Sequence, residues 1–377
     1  MNNVPKRVLH ITEILSAAGI ESFIMNVYRN IDRNKVQFDF LVLRNEKEFY
    51  DDEITQLGGK KYFVQSNIHN TFFRILDESK KIEKFLKQNH YDIVHIHYTT
   101  PLRAFYLRAA KNAGVPVRIY HSHSAEVSGK SKFKLMIYEH CKRVIDKYAT
   151  DYFACSVAAA QWVYSENTLK NNKVKVIYNG IDTERFWFNE NIRQKVRREL
   201  KITDKFVVIN TGRFTEQKNQ TFIIDIIDVL KSKYENVALL LLGDGPLKDS
   251  YKEKVKKLGL ENIVKFLGVK ANVQDYLFAS DCYVMPSLYE GLPVAGVEAE
   301  CTGIPCIFSK NITNEVKLND SAIFVGLDLT ADRWADIIKN QNIIADRKNA
   351  IIEVKRAGYD IHDVASNMQN FYLQGDI

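Results

Sequence analysis

The sequence predicts an α/β protein of parallel β-α-β units, because strand-like apolar runs alternate with longer amphipathic stretches along its whole length. In the first half these runs are residues 7–11, 38–43, 61–63, 93–96 and 117–121. In the second half the pattern recurs with 206–211, 238–242, 263–266, 282–285 and 305–308. A chain of 377 residues exceeds one comfortable core, so the recurrence predicts two Rossmann-like domains, residues 1–180 and 181–358, followed by a terminal segment 359–377.

Each element has its own local reason. The run after Lys6-Arg7 is too short for a signal peptide and reads as the first strand. Val94–Tyr98 carries His95 and His97 in alternation, read as structural or as lining a site; with no third ligand apparent in sequence, no metal is expected there. Residues 130–147 are the most basic stretch, with Phe133, Met136, Ile137, Val144 and Ile145 able to share a helix face. The run 174–178 precedes Asn179-Gly180-Ile181-Asp182, a turn by composition. The segment 363–373 has helical spacing and closes the chain.

Composition narrows the function. Five cysteines make an odd number without a C-x2-C pair, so Cys301 and Cys306 read as small apolar core residues and the setting as reduced. No run approaches the roughly 18 apolar residues of a membrane span. The net charge of +7 lies entirely in residues 1–180, which hold 27 Lys and Arg against 18 Asp and Glu; residues 181–377 hold 26 against 28. That excess suits either an ordinary solvated helix or a surface that docks an anionic membrane or lipid pyrophosphate. No recognition motif accompanies it, so nucleic acid is not an expected partner. The missing G-x-G-x-x-G fingerprint disfavours a dehydrogenase.

The stretch 284–298 carries the chemistry. A buried strand at 282–285 is broken by Glu290-Gly291-Leu292-Pro293, and helical spacing resumes from Val294, with Pro293 suited to the first helical position. The backbone N–H groups of Leu292 to Val294, at the positive end of a helix dipole, suit a phosphate oxygen. Glu298, one turn further, suits a sugar hydroxyl better; alternatively Glu290 only caps the turn and Glu298 is solvated.

Glu290 to Glu298 resembles the E-x7-E motif of retaining GT-B glycosyltransferases of family 4. The other landmarks follow in that family's order: Ala18-Gly19-Ile20-Glu21, His121-Ser122-His123-Ser124, Asn179-Gly180-Ile181-Asp182, Gly212-Arg213 with Lys218-Asn219, and Gly243-Asp244-Gly245-Pro246. The HSHS form and Phe153-Ala154-Cys155-Ser156 are most similar to bacterial exopolysaccharide and capsule enzymes. The resemblance implies a GT-B fold, two Rossmann-like domains facing across a cleft, with the terminal helix crossing back onto the first. It further implies an acceptor-binding first domain and a nucleotide-sugar-binding second one. Arg213 and Lys218 would hold the donor diphosphate, a reading that agrees with the absence of any D-x-D metal pair. Glu298 would accept from ribose hydroxyls, Glu290 would contact the donor sugar, and His121 would lie beside the transferred ring. Gly19, Gly212, Gly243, Phe266, Gly291, Leu292, Pro293 and Val294 complete the implied donor contacts. Ala18 stands where the family has the first of two glycines, which weakens the assignment of Gly19 to a phosphate. No cofactor and no metal are implied.

The implied activity is transfer of a sugar, with retention, from a nucleotide sugar, most simply a UDP-sugar, to a lipid-linked or polysaccharide acceptor. It would take place in the cytoplasm or at the inner face of the membrane. A GT-B sugar-nucleotide epimerase or an inactive supporting subunit are the alternatives. Intact Arg213, Lys218, Glu290 and Glu298 favour transfer.

Overall fold

The computed structural model describes residues 4–16, 19–124, 131–233, 236–340 and 347–374. It divides into one compact unit of residues 1–180 with 361–377, and a second of residues 181–360.

The first unit has seven strands: β1 (Lys6–Ile11), β2 (Val36–Val42), β3 (Lys61–Phe63), β4 (Ile93–Tyr98), β5 (Val117–Ser122), β6 (Asp151–Ala154) and β7 (Val174–Val176). They form one parallel sheet in the order β3-β2-β1-β4-β5-β6-β7. Both faces are buried, so β2 and β4 have no exposed position. Asp39 of β2 is tolerated because it is paired with Arg7 and accepts from Tyr91 Oη at 2.9 Å and from the Lys60 backbone N–H at 2.9 Å.

One face of this sheet is covered by the helices Gly19–Asn30 and Ile361–Gln374. Val8, Phe23, Phe38 and Phe153 share a core there with Ile361, Val364, Met368, Phe371 and Tyr372. The end of the chain is therefore part of the first unit's core. Gly180 permits this approach, since a Cβ there would stand 3.0 Å from the Ile361 Cα. The helix Lys132–Tyr148 packs on the opposite face through Tyr138, Cys141 and Ile145. Its stripe differs from the sequence expectation: Ile137 and Val144 pack at its edge, whereas Phe133 and Met136, in its first turns, face solvent.

The second unit has six strands: β8 (Phe206–Thr211), β9 (Val237–Leu242), β10 (Val264–Gly268), β11 (Cys282–Met285), β12 (Cys306–Ser309) and β13 (Ala322–Val325). Their order, β10-β9-β8-β11-β12-β13, is again all parallel. The strand order reverses between β8 and β11. In open sheets of this kind, ligands bind outside the carboxyl ends of the strands at that reversal. At the opposite end, Asp281 accepts from the Val207 N–H at 2.8 Å and pairs with Arg193 and Arg197. All five cysteines are free and buried.

Two strands were not anticipated, Asp151–Ala154 and Ala322–Val325; each has only four residues.

Candidate functional site

Two loops leave the second sheet at its reversal point. After β8 the chain runs through Gly212-Arg213 into a short turn, Glu216–Lys218. Asn219 then takes a left-handed conformation (φ 53°) before the helix Gln220–Lys233. After β11 it runs through Pro286 to Glu290 and enters the helix Val294–Cys301. Pro293 is the N-cap of that helix, one position before the expected one, and its carbonyl accepts from Gly296 at 2.9 Å.

The loops are stitched together. The Leu288 N–H donates to the Gln217 carbonyl at 2.8 Å, and Gln217 Nε2 donates to the Tyr289 carbonyl at 3.0 Å and Glu290 Oε2 at 3.3 Å. Asn219 Nδ2 donates to the Pro286 carbonyl at 3.1 Å. Neither Gln217 nor the bond made by Asn219 was anticipated; only the family position of Lys218-Asn219 pointed to them.

Lys218 Nζ lies 2.6 Å from Glu290 Oε1, as an ion pair without good hydrogen-bond alignment. The Lys218 stem passes over Gly212, where an added Cβ would meet Lys218 Cε at 3.5 Å. Arg213 is exposed, and its guanidinium bonds to none of the described residues. A fixed cation and an unengaged one thus flank the glycine at the end of β8.

Glycine forms the floor because nothing else fits. Gly243, at the end of β9, has φ +135°, and a Cβ there would come within 2.0 Å of the Gly212 carbonyl oxygen. Its N–H donates to the Gly268 carbonyl at 2.9 Å. Phe266, half-buried on β10, meets Phe214 edge to face. Gly291, Leu292 and Val294 are half-buried at the mouth of the Val294–Cys301 helix, and Pro293 is buried.

Glu298 lies one turn into that helix, partly open to solvent but surrounded by protein. Desolvation pushes its carboxyl up to about 7, opposed by the charge of Arg185. Arg185, which sequence reasoning passed over, is held by Gln274 Oε1 at 3.0 Å and by the Ala271 carbonyl. Glu300, on the same helix, is structural: it accepts from the Leu318 and Asn319 N–H groups at 3.0 and 2.9 Å.

The remaining expected residues lie in the first unit. Gly19 opens the helix Gly19–Asn30, with open space where a Cβ would stand, so crowding does not require glycine there. Ala18 lies outside the described residues. Glu21 is buried against Thr12, and desolvation raises its carboxyl. His121 is fully buried, 0 % exposed, with Nδ1 3.2 Å from His95 Nε2 and Phe23 packed edge-on at 5.2 Å. As the ring stands, it offers no surface to a sugar. The expectation of a sugar contact therefore requires movement of the groups that cover it.

Two family models match the chain, "Glycosyltransferase Family 4" over residues 17–185 and "Glycosyl transferases group 1" over residues 191–353. EpsF of Bacillus subtilis (strain 168), provisionally named a glycosyltransferase, is 33% identical over 99% of this chain and 97% of its own length. The capsular polysaccharide biosynthesis glycosyltransferase CapH of Staphylococcus aureus is 26% identical over 97% and 98%. Among solved structures, Anabaena HepE in complex with UDP superposes with a TM-score of 0.74 at 19% identity, covering 96% of this chain and 98% of that one. With both units matched and a relative of this similarity aligned end to end, the chain belongs to the glycosyltransferases and has the GT-B fold.

Proposed function

We propose that this chain moves a sugar from a UDP-sugar to a lipid-linked or polysaccharide acceptor in bacterial surface polysaccharide synthesis, with retention of the anomeric configuration. The observation that carries the reading is the arrangement at the β8–β11 reversal: Lys218 paired with Glu290 over a glycine floor, with Arg213 on the same loop and Glu298 on the helix that follows β11. Breaking the bond between the anomeric carbon and the diphosphate leaves its electron pair, and a growing negative charge, on phosphate oxygen. The fixed Lys218, the unengaged Arg213 and a helix dipole stabilise that charge. Lys218 is already aimed by Glu290, so it loses little freedom when it engages phosphate. The acceptor oxygen forms the new bond to the anomeric carbon, and its proton passes to the departing phosphate on the same face. No protein nucleophile or metal-binding carboxylate pair is called on.

Glu298 accepts from the ribose diol through both oxygens. Two names among the similar proteins favour this donor and acceptor: an Escherichia coli relative is a UDP-Gal:alpha-D-GlcNAc-diphosphoundecaprenol alpha-1,3-galactosyltransferase, and HepE has been solved with UDP-glucose. In the first unit, Phe72 and Met136 line one groove, and Phe73 and Phe133 lie exposed with Lys132 and Lys134. We assign this apolar and basic surface to the lipid of the acceptor at the membrane's inner face. Among the described residues no helix is long and apolar enough to cross a membrane.

The test is nucleotide release by purified protein from a panel of UDP-, GDP- and ADP-sugars, with and without a membrane lipid extract, beside Arg213→Ala. Release from a UDP-sugar that rises with extract and collapses in the variant supports the proposal. Release from a GDP- or ADP-sugar alone would overturn the donor, and sugar isomerisation without an acceptor would overturn transfer.

A further inference from the structure

Five of the nine histidines lie together inside the first unit. His10 comes from β1, His95 and His97 from β4, His121 from β5, and His123 follows directly. All five rings share the sheet face that Phe23, Phe38 and Tyr372 cover. They form two stacked threads. In one, His10 Nδ1 lies 2.9 Å from His97 Nε2, and His97 Nδ1 lies 2.9 Å from His123 Nε2. In the other, Tyr372 Oη lies 2.8 Å from His95 Nδ1, and His95 Nε2 lies 3.2 Å from His121 Nδ1. His10 Nε2, His121 Nε2 and His123 Nδ1 are buried with no partner among the described residues.

Unsatisfied buried nitrogens are costly, and a ligand that engages them removes that cost. A neutral imidazole is the form that ligates a metal. The ligand atoms of His97, His121 and His123 lie within 4.8 Å of one another. A tetrahedral ion with bonds of about 2.0–2.1 Å spaces its nitrogens about 3.4 Å apart, so small ring movements close the site.

We propose that His97, His121 and His123 form a three-imidazole site for a divalent transition metal of the zinc class. The threads supply the supporting hydrogen bonds such a site needs. If His121 ligates through Nε2, its Nδ1–H donates to His95, which in turn donates to Tyr372. If His97 ligates through Nδ1, its Nε2–H donates to His10. Outer partners of this kind fix the tautomer and orientation of metal-bound histidines. The neighbouring triad of His10, His95 and His97 is less suited. Both nitrogens of His95 are engaged by groups outside that triad, Tyr372 and His121, and all three rings are fully buried, whereas the Nδ1 bond of His97 is to His123 within the proposed site, and His123 is partly open to solvent and gives an ion a way in.

The untagged full chain, stripped with chelator and dialysed, would be titrated with Zn²⁺ and separately with Co²⁺. The expected result is one equivalent of zinc retained through gel filtration and a Co²⁺ ligand-field band of a four-coordinate site. Both should weaken at least tenfold in His121→Gln and in His123→Gln and persist in His10→Gln. His123 is partly exposed, so its variant keeps the test meaningful if His121→Gln misfolds. No retained zinc and no band would overturn the proposal. So would binding that survives His123→Gln, or that is lost only in His10→Gln.

Discussion

If Glu298 binds the ribose diol as a carboxylate, donor affinity must follow its ionisation. Desolvation pushes this group up to about 7, so it is about one-tenth ionised at pH 6 and about nine-tenths at pH 8. Affinity should therefore rise about tenfold across that interval, about 1.4 kcal/mol. The assay is calorimetric titration with UDP-glucose, whose diphosphate is esterified at both ends and, unlike the terminal phosphate of UDP, has no second ionisation near pH 6. Glu298→Gln keeps the shape, loses the charge-assisted bonds, and should bind about 10–100-fold more weakly at pH 8 with little pH dependence. Stability gives an independent check on the sign. A carboxyl raised above its ordinary 4.5 is favoured protonated in the folded state. Its contribution to stability thus falls as pH rises from about 4.5 to about 7 and is constant above that. The fall is bounded by about 3 kcal/mol and reduced by the residue's partial exposure; Glu298→Gln should lack it. Flat wild-type affinity from pH 6 to 8, or the same slope in Glu298→Gln, would refute the reasoning.

Arg213→Ala should lower turnover by about 10²-fold while leaving the melting temperature nearly unchanged, because the guanidinium bonds to none of the described residues; thermal scans beside single-turnover rates check both. Gly243→Ala forces a Cβ against the Gly212 carbonyl at φ +135° and should cost at least about 1–3 kcal/mol, read from denaturant midpoints. Asp281→Ala strips the counter-charge from Arg193 and Arg197 and should destabilise the second unit by about 3–5 kcal/mol in the same measurement. Phe133→Asp with Met136→Asp should reduce co-sedimentation with anionic vesicles severalfold and leave donor binding unchanged.

Legibility differed between elements for physical reasons. The runs 206–211, 238–242 and 282–285 are readable because strands buried on both faces need continuous apolar sequence. Asp151–Ala154 and Ala322–Val325 escaped because four residues give too little pattern to separate from a loop. In the site, the E-x7-E spacing and Gly212-Arg213 were visible as local sequence. Gln217 was not, because its bonds to the Tyr289 carbonyl and Glu290 span 72 and 73 residues.

The sequence alone determined the β-α-β alternation and its repetition in two halves, since each is encoded by neighbours within a few residues; the cationic and acidic residues proposed for the donor were picked out by their resemblance to a family motif. Only the tertiary structure decided that Lys218 pairs with Glu290 and that Glu298 is desolvated. It also buried His121 and brought His10, His95, His97, His121 and His123 onto one face. These outcomes depend on strand order. The sheet sets β4 between β1 and β5, so rings separated by more than 80 residues in the chain come within hydrogen-bonding distance.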